Sequence, residues 1–139
     1  MKYHPDIHKR RSIRLQGYDY SAAGAYFVTL CTQNGACLFG DIIADEMMLN
    51  DAGRIVADEW LKTADIYNTI ELDEWVVMPN HFHGIVVFTD SVRAIRESPL
   101  QQRRNMRLPK LIGRFKMVTA KQINAIRRTP GAKLWQRNY

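Results

Sequence analysis

The run "TIELDEWVVMPNHFHGIVVF", residues 69–88, constrains the fold more than any other stretch. Two apolar arms, about residues 70 to 77 and 81 to 88, flank Pro79 and Asn80. Proline presets φ and asparagine readily enters turn conformations, so the arms predict an antiparallel hairpin with a tight reversal between them. Its second arm opens with two histidines, His81 and His83, separated by Phe82.

The remaining elements follow from the same periodicities. "AYFVTLCT", residues 25–32, is β-branched and aromatic with turn residues on both sides, and reads as a buried strand. "ACLFGDIIADEMMLN" predicts one or two further strand pieces. Asn50 is placed to cap a helix starting at Asp51, with Ala52, Val56, Trp60 and Tyr67 on one face. A second helix is expected from Pro109, because proline suits a first helical turn and Leu111, Ile112, Phe115, Val118, Ile123 and Ile126 form one stripe. Lys110, Arg114, Lys121 and Arg128 line another face of it. "TPGAK" ends this helix, and "LWQRNY" reads as a last strand, with Trp135 in the core or on a face that stacks a base. Between the hairpin and this helix, Thr89 to Pro109 loses periodicity and reads as a mobile loop. The order strand, helix, hairpin, helix, strand predicts an α+β sandwich, helices on an antiparallel sheet, and 139 residues suit one domain.

Charge separates along this chain. Residues 1–20 carry +3, residues 21–92 carry −9 and residues 93–139 carry +12. Such a basic C-terminal third is either a solvated tail or a surface for a polyanion such as nucleic acid. Lys110, Arg114, Lys121 and Arg128 would be its organised part, Arg103, Arg104 and Arg107 its flexible part, and Arg10, Arg11 and Arg14 an N-terminal arm. No run reaches the roughly 18 apolar residues of a membrane span, and the N-terminus lacks the apolar core of a secretion signal. The expectation is a soluble, cytoplasmic protein with no membrane partner. Cys31 and Cys37 are then reduced thiols rather than a disulfide.

Side chains two apart on a strand share a face, so His81 and His83 project together. Two imidazoles there either share a metal ion or are one core and one surface histidine that happen to be neighbours; burying two without partners is unfavourable. The pair does not name the metal. With carboxylates or amides it suits Mg²⁺, Mn²⁺ or Fe²⁺, and with Cys31 and Cys37 it would suit structural Zn²⁺.

"HFH" within "VVMPNHFHGIVV" resembles the histidine-hydrophobic-histidine (HUH) motif of single-strand-specific, IS200-like tyrosine transposases. "YFVTLCTQNGACLFGDI", "LNDAGRIVADEW", "ELDEWVVMPNHFHGIV", "GRFKMVTAKQIN" and "LWQRNY" resemble, in order, blocks of the REP-associated branch of that family, from about Gly17 to Tyr139. The resemblance implies a ferredoxin-like HUH sandwich that binds hairpin-forming single-stranded DNA, as a monomer or a homodimer. It further implies Mg²⁺ or Mn²⁺ on His81 and His83, and cleavage through a phosphotyrosine link. In the family the nucleophile lies on a helix after the "WQRNY" strand, a helix expected to be missing here. Tyr139 matches the strand tyrosine of that block and is either a terminal aromatic or the nucleophile itself. Three readings follow: a metal-dependent transposase-type endonuclease, a catalytically incomplete hairpin-DNA-binding protein, and a small zinc-stabilised protein.

Overall fold

A computed structural model of the chain describes residues 24–67, 70–89 and 107–137. Strand β1, Gly24–Cys31, buries Tyr26, Val28 and Leu30 and turns Phe27 and Thr29 the other way, the period of two that its sequence predicts. A 3-10 turn at Gln33–Gly35 leads to a small hairpin, β2 (Gly40–Ile43) and β3 (Glu46–Leu49). Its tip residues, Ala44 and Asp45, both have positive φ, 50° and 63°, as a two-residue turn matching strand twist requires.

Helix α1, Asp51–Ile66, begins where expected: the Asn50 side chain accepts the Gly53 N–H at 2.9 Å, satisfying one of the free donors of the first turn. Ala52, Val56 and Trp60 are buried on one face. Tyr67, expected on that face, is instead the residue that ends the helix; its N–H reaches the Thr63 carbonyl at 3.1 Å and its backbone is extended.

The predicted hairpin is β4 (Ile70–Met78) and β5 (His81–Phe88). Strand β5 pairs with both β4 and β1, giving the antiparallel order β1-β5-β4. Helix α2, Arg107–Arg127, follows. After it, Trp135 makes a single antiparallel bridge to Thr32 on the free side of β1, supported by Gln33 N–H to Leu134 O and Gln136 N–H to Cys31 O, each 2.8 Å. The last strand expected over "LWQRNY" is thus one bridge among the described residues. The sequence of elements β-α-β-β-α-bridge with this strand order is α+β and ferredoxin-like, with the β2-β3 hairpin inserted before α1.

Both helices cover one face of the sheet. Trp60, Phe82 and Phe115 interlock there, with ring centroids 4.8, 5.3 and 5.6 Å apart, joining α1, β5 and α2. Trp135 belongs to this core, and its Nε1–H donates to Thr119 Oγ1 at 2.9 Å. Glu59 of α1, almost fully buried, accepts from Gln122 Nε2 of α2 at 2.7 Å and ties the helices together.

Helix α2 departs from expectation at both ends. It starts at Arg107, two residues before Pro109, which is tolerated because first-turn N–H groups have no intrahelical partner. Its last turn, Ala125 to Arg127, is exposed all round, so Ile126 is 53% exposed although it falls within the apolar stripe. Arg128 lies beyond the helix with φ 56°, where it closes the end. Its N–H reaches Ala125 O at 3.4 Å and Thr129 N–H reaches Asn124 O at 2.9 Å, the paired bonds of a left-handed C-terminal cap.

Candidate functional site

Alternation along β5 sends Phe82, Gly84, Val86 and Phe88 toward the helices and leaves His81, His83, Ile85 and Val87 half-buried on the opposite face, which no described helix covers. The two imidazoles stand side by side as expected, with centroids 4.7 Å apart and planes at 73°. On neighbouring strands Cys31 and Met78 lie opposite His81, and Thr29 and Val76 lie opposite His83. Phe27 stacks on His83 at 5.4 Å with an interplanar angle of 27°.

Each ring is oriented through Nδ1. His81 Nδ1 lies 2.8 Å from Asn80 Oδ1. The same amide donates its Nδ2 to Gly35 O at 3.3 Å, which settles which end of Asn80 faces the imidazole. An acceptor there places the proton on His81 Nδ1 and leaves Nε2 with its lone pair. His83 Nδ1 is held by Thr29 Oγ1 at 3.0 Å. Asn80 is itself clamped, because its carbonyl accepts the Thr32 N–H at 3.0 Å; the Thr32 hydroxyl donates to Ala36 O at 2.7 Å and lies 3.1 Å from the same Asn80 carbonyl. Sequence reading gave Asn80 only a turn role; the signal for the second lay in its position directly before His81.

Partial burial, and after it the charge that His83 carries when protonated, hold the His81 pKa below its ordinary value. Both effects favour the neutral ring, the form that binds a metal. A hydrogen bond at Nδ1 with Nε2 left to coordinate is the usual arrangement of ligating histidines; His81 has it, and His83 has it in the tautomer that donates Nδ1–H to Thr29, in which the pair could take two positions of a divalent ion. Oxygen atoms of a phosphate and of water suit the others.

The zinc set does not assemble. Among the described residues no three of His, Cys, Asp or Glu come together around a metal, and Cys37 is exposed while Cys31 is half-buried. Both cysteines are free thiols, as expected. The six-residue separation of the cysteines, longer than usual finger spacing, already spoke against this set, and Cys37 follows the turn that carries the chain away from β1.

Three of the four cations in the expected helical row share the outer face of α2: Lys110 and Lys121 exposed, Arg114 half-buried. Met117, 65% exposed, sits among them. Arg128 leaves the row through the left-handed turn described above. Lys116 projects toward the segment after the helix and donates to Gln136 O and Arg137 O at 2.7 and 3.3 Å. Burial pulls its pKa below the usual lysine value, partly opposed by Cys31. Arg103, Arg104, Tyr139 and the arm of Arg10, Arg11 and Arg14 lie outside the described residues, as does the side chain of Arg107. The region expected as a mobile loop lies largely outside them too. No described helix is long and apolar enough to cross a membrane.

The fold and site define an α+β protein whose open sheet face carries an oriented histidine pair. No family model matches the chain. It is 39% identical, over a 147-residue alignment covering 99% of this chain and 80% of the other, to a protein of Haemophilus influenzae described as uncharacterised. The chain belongs to the same family as that protein. A solved structure of a REP-associated tyrosine transposase bound to a REP hairpin is similar with a TM-score of 0.48 and 17% identity. That match covers 90% of this chain, which spans 58% of the transposase.

Proposed function

We propose that this chain acts on single-stranded, hairpin-forming DNA as a divalent-metal-dependent endonuclease of the tyrosine transposase type. The observation that carries the reading is the His81–His83 pair, both rings anchored through Nδ1 on the sheet face away from the described helices. The ordered sequence blocks that resemble REP-associated transposases support the same reading. A bound Mg²⁺ or Mn²⁺ would polarise the scissile phosphate and offset the charge that develops on its oxygens. His81 and His83 would hold that ion, and Asn80 and Thr29 would keep the imidazoles in register for it. A tyrosine hydroxyl attacking phosphorus would form the 5′-phosphotyrosine bond, break the P–O3′ bond and release a 3′-hydroxyl, conserving bond energy for rejoining.

Lys110, Arg114 and Lys121 would neutralise backbone phosphates. If each meets one phosphate of a single strand, log affinity should fall with log salt at a slope of about −2. Incubation with hairpin-bearing single-stranded DNA and Mn²⁺ or Mg²⁺, followed by denaturing electrophoresis and peptide mapping, tests the activity. A metal-dependent covalent adduct is expected, lost when both histidines are replaced by alanine while DNA binding persists. Cleavage that survives the double replacement would overturn the assignment.

One observation favours a second reading, hairpin-DNA binding without cleavage. Neither described tyrosine reaches the open face, because Tyr26 is buried against Phe88 and Tyr67 packs on the core at the end of α1. The same experiment separates the two: an adduct mapping to Tyr139 supports the enzyme, and salt-sensitive binding without an adduct supports the binder.

A further inference from the structure

We propose that Phe27 is a base-stacking residue that holds the nucleobase next to a phosphate bound at the histidine pair; this rests on the nucleic-acid reading of that pair. Phe27 is 67% exposed in the middle of β1, on the same face as His83 and stacked against it, away from the described helices. Its apolar neighbours there, Ile85, Val87 and the 42% exposed Val76, are aliphatic. Among these neighbours only Phe27 offers a π face to a planar ligand.

The surrounding charge selects the ligand. Beyond β5, strand β4 exposes Glu71, Asp73 and Glu74, which repel phosphate. Beyond β1, the segment bridged to Thr32 through Trp135 carries no acidic residue among those described, and its exposed Lys133 and Arg137 flank the core-facing Trp135. The carboxylates of β4 disfavour a phosphate on that side and leave β1 and β5, from Phe27 past His83 to His81, as the path for a polyanion. Duplex bases have their faces covered by neighbours, whereas single-stranded bases are free to stack on an aromatic ring set in a sheet. One phosphate at the pair and the adjoining base over Phe27 is the arrangement this face accommodates.

Binding of a fluorescent oligothymidylate, and of an abasic oligomer of equal length and charge, tests the proposal by anisotropy on the wild type, Phe27→Ala and Phe27→Trp. Phe27→Ala should weaken oligothymidylate binding by roughly tenfold and leave abasic binding unchanged. Phe27→Trp should bind like the wild type, with its added indole emission quenched by the oligothymidylate alone. Undiminished binding by Phe27→Ala, or equal losses for both oligomers, overturns the stacking role while leaving the proposed function standing. A wild type that binds neither oligomer overturns the stacking role, and one that also fails to bind hairpin-bearing DNA overturns the proposed function as well. A wild type that sediments as a dimer which Phe27→Ala dissociates assigns this face to protein instead and overturns the proposal.

Discussion

Gly84 closes the "HFHG" run at a point where β5 presses on α1, and replacing it by alanine tests how that contact sets the strand. Its backbone does not occupy the left-handed region, so the effect of a side chain there is steric. An added Cβ would lie 2.7 Å from Trp60 Cζ2 and 2.9 and 3.0 Å from Phe82 Cε1 and Cζ. Ordinary carbon contacts fall at about 3.5–4.0 Å, so the indole must retreat by roughly 1 Å. It has little room, because Trp60 and Phe82 are fully buried and Trp60 also meets Phe115 at 5.3 Å. Overpacking by one methyl group destabilises by about 1–3 kcal/mol, and the gain from replacing glycine in a strand offsets about 0.5–1 kcal/mol. A net loss of about 1–2 kcal/mol is expected in urea denaturation. Trp60→Phe removes the obstructing ring edge and also a buried Nε1–H that has no hydrogen-bond partner. In that background Gly84→Ala should lose less than half as much, a coupling that a double-mutant cycle resolves. Equal losses in both backgrounds, or a Gly84→Ala protein as stable as the wild type, would refute the steric argument.

Asn80→Ala removes the acceptor at His81 Nδ1 and should lower Mn²⁺ affinity by about 10–100-fold in calorimetry without unfolding the protein; unchanged affinity would show that the amide does not orient the ring. The depressed His81 pKa means that the unfolded chain binds more protons than the native one between the native value and about 6.5. Its stabilising contribution is therefore complete above about pH 6.5 and is lost as pH falls through the native pKa. NMR titration of the ring protons should place His81 below the ordinary histidine value and move it back up in His83→Ala, and titration at or above that value would contradict the burial argument. Gln122→Ala strips the 2.7 Å bond from the buried Glu59 carboxylate and leaves it Lys62, at 3.3 Å and 61% exposed. A loss of about 1–3 kcal/mol in urea denaturation is expected, and no loss would mean that water replaces the amide.

Elements built on one strong local signal were legible from residue order. The alternation in "HFHGIVVF", the Pro79-Asn80 reversal and the Asn50 cap each rest on chemistry within a few residues, and each appears where predicted. The α2 stripe was legible in direction but not in extent, because wheel position says which way Ile126 points and not whether anything lies opposite. Arg128 was misplaced for a related reason: an arginine in the left-handed region has no sequence mark where glycine would have announced the cap. The partners of the histidines were the least legible part. Thr29 meets His83 from 54 residues away, and that meeting depends on β1 rather than β4 or the β2-β3 hairpin occupying that side of β5.

Strand β5 answers two opposed demands with adjacent residues. Phe82 and Gly84 fit a core so close that a single added methyl group collides with an indole, while His81 and His83 between and beside them face outward. On that face no described helix packs against the rings, and their direction has two sources among the described residues. Part comes from the backbone, pinned from behind by the Trp60, Phe82 and Phe115 cluster. The rest comes from Nδ1, where Asn80 and Thr29 each take one ring by that nitrogen. Asn80 can do this only because Thr32 and Gly35, in and beside the 3-10 turn after β1, fix its carbonyl and its amide. The turn after β1 thus orients His81 through Asn80 although it contributes no ligand of its own.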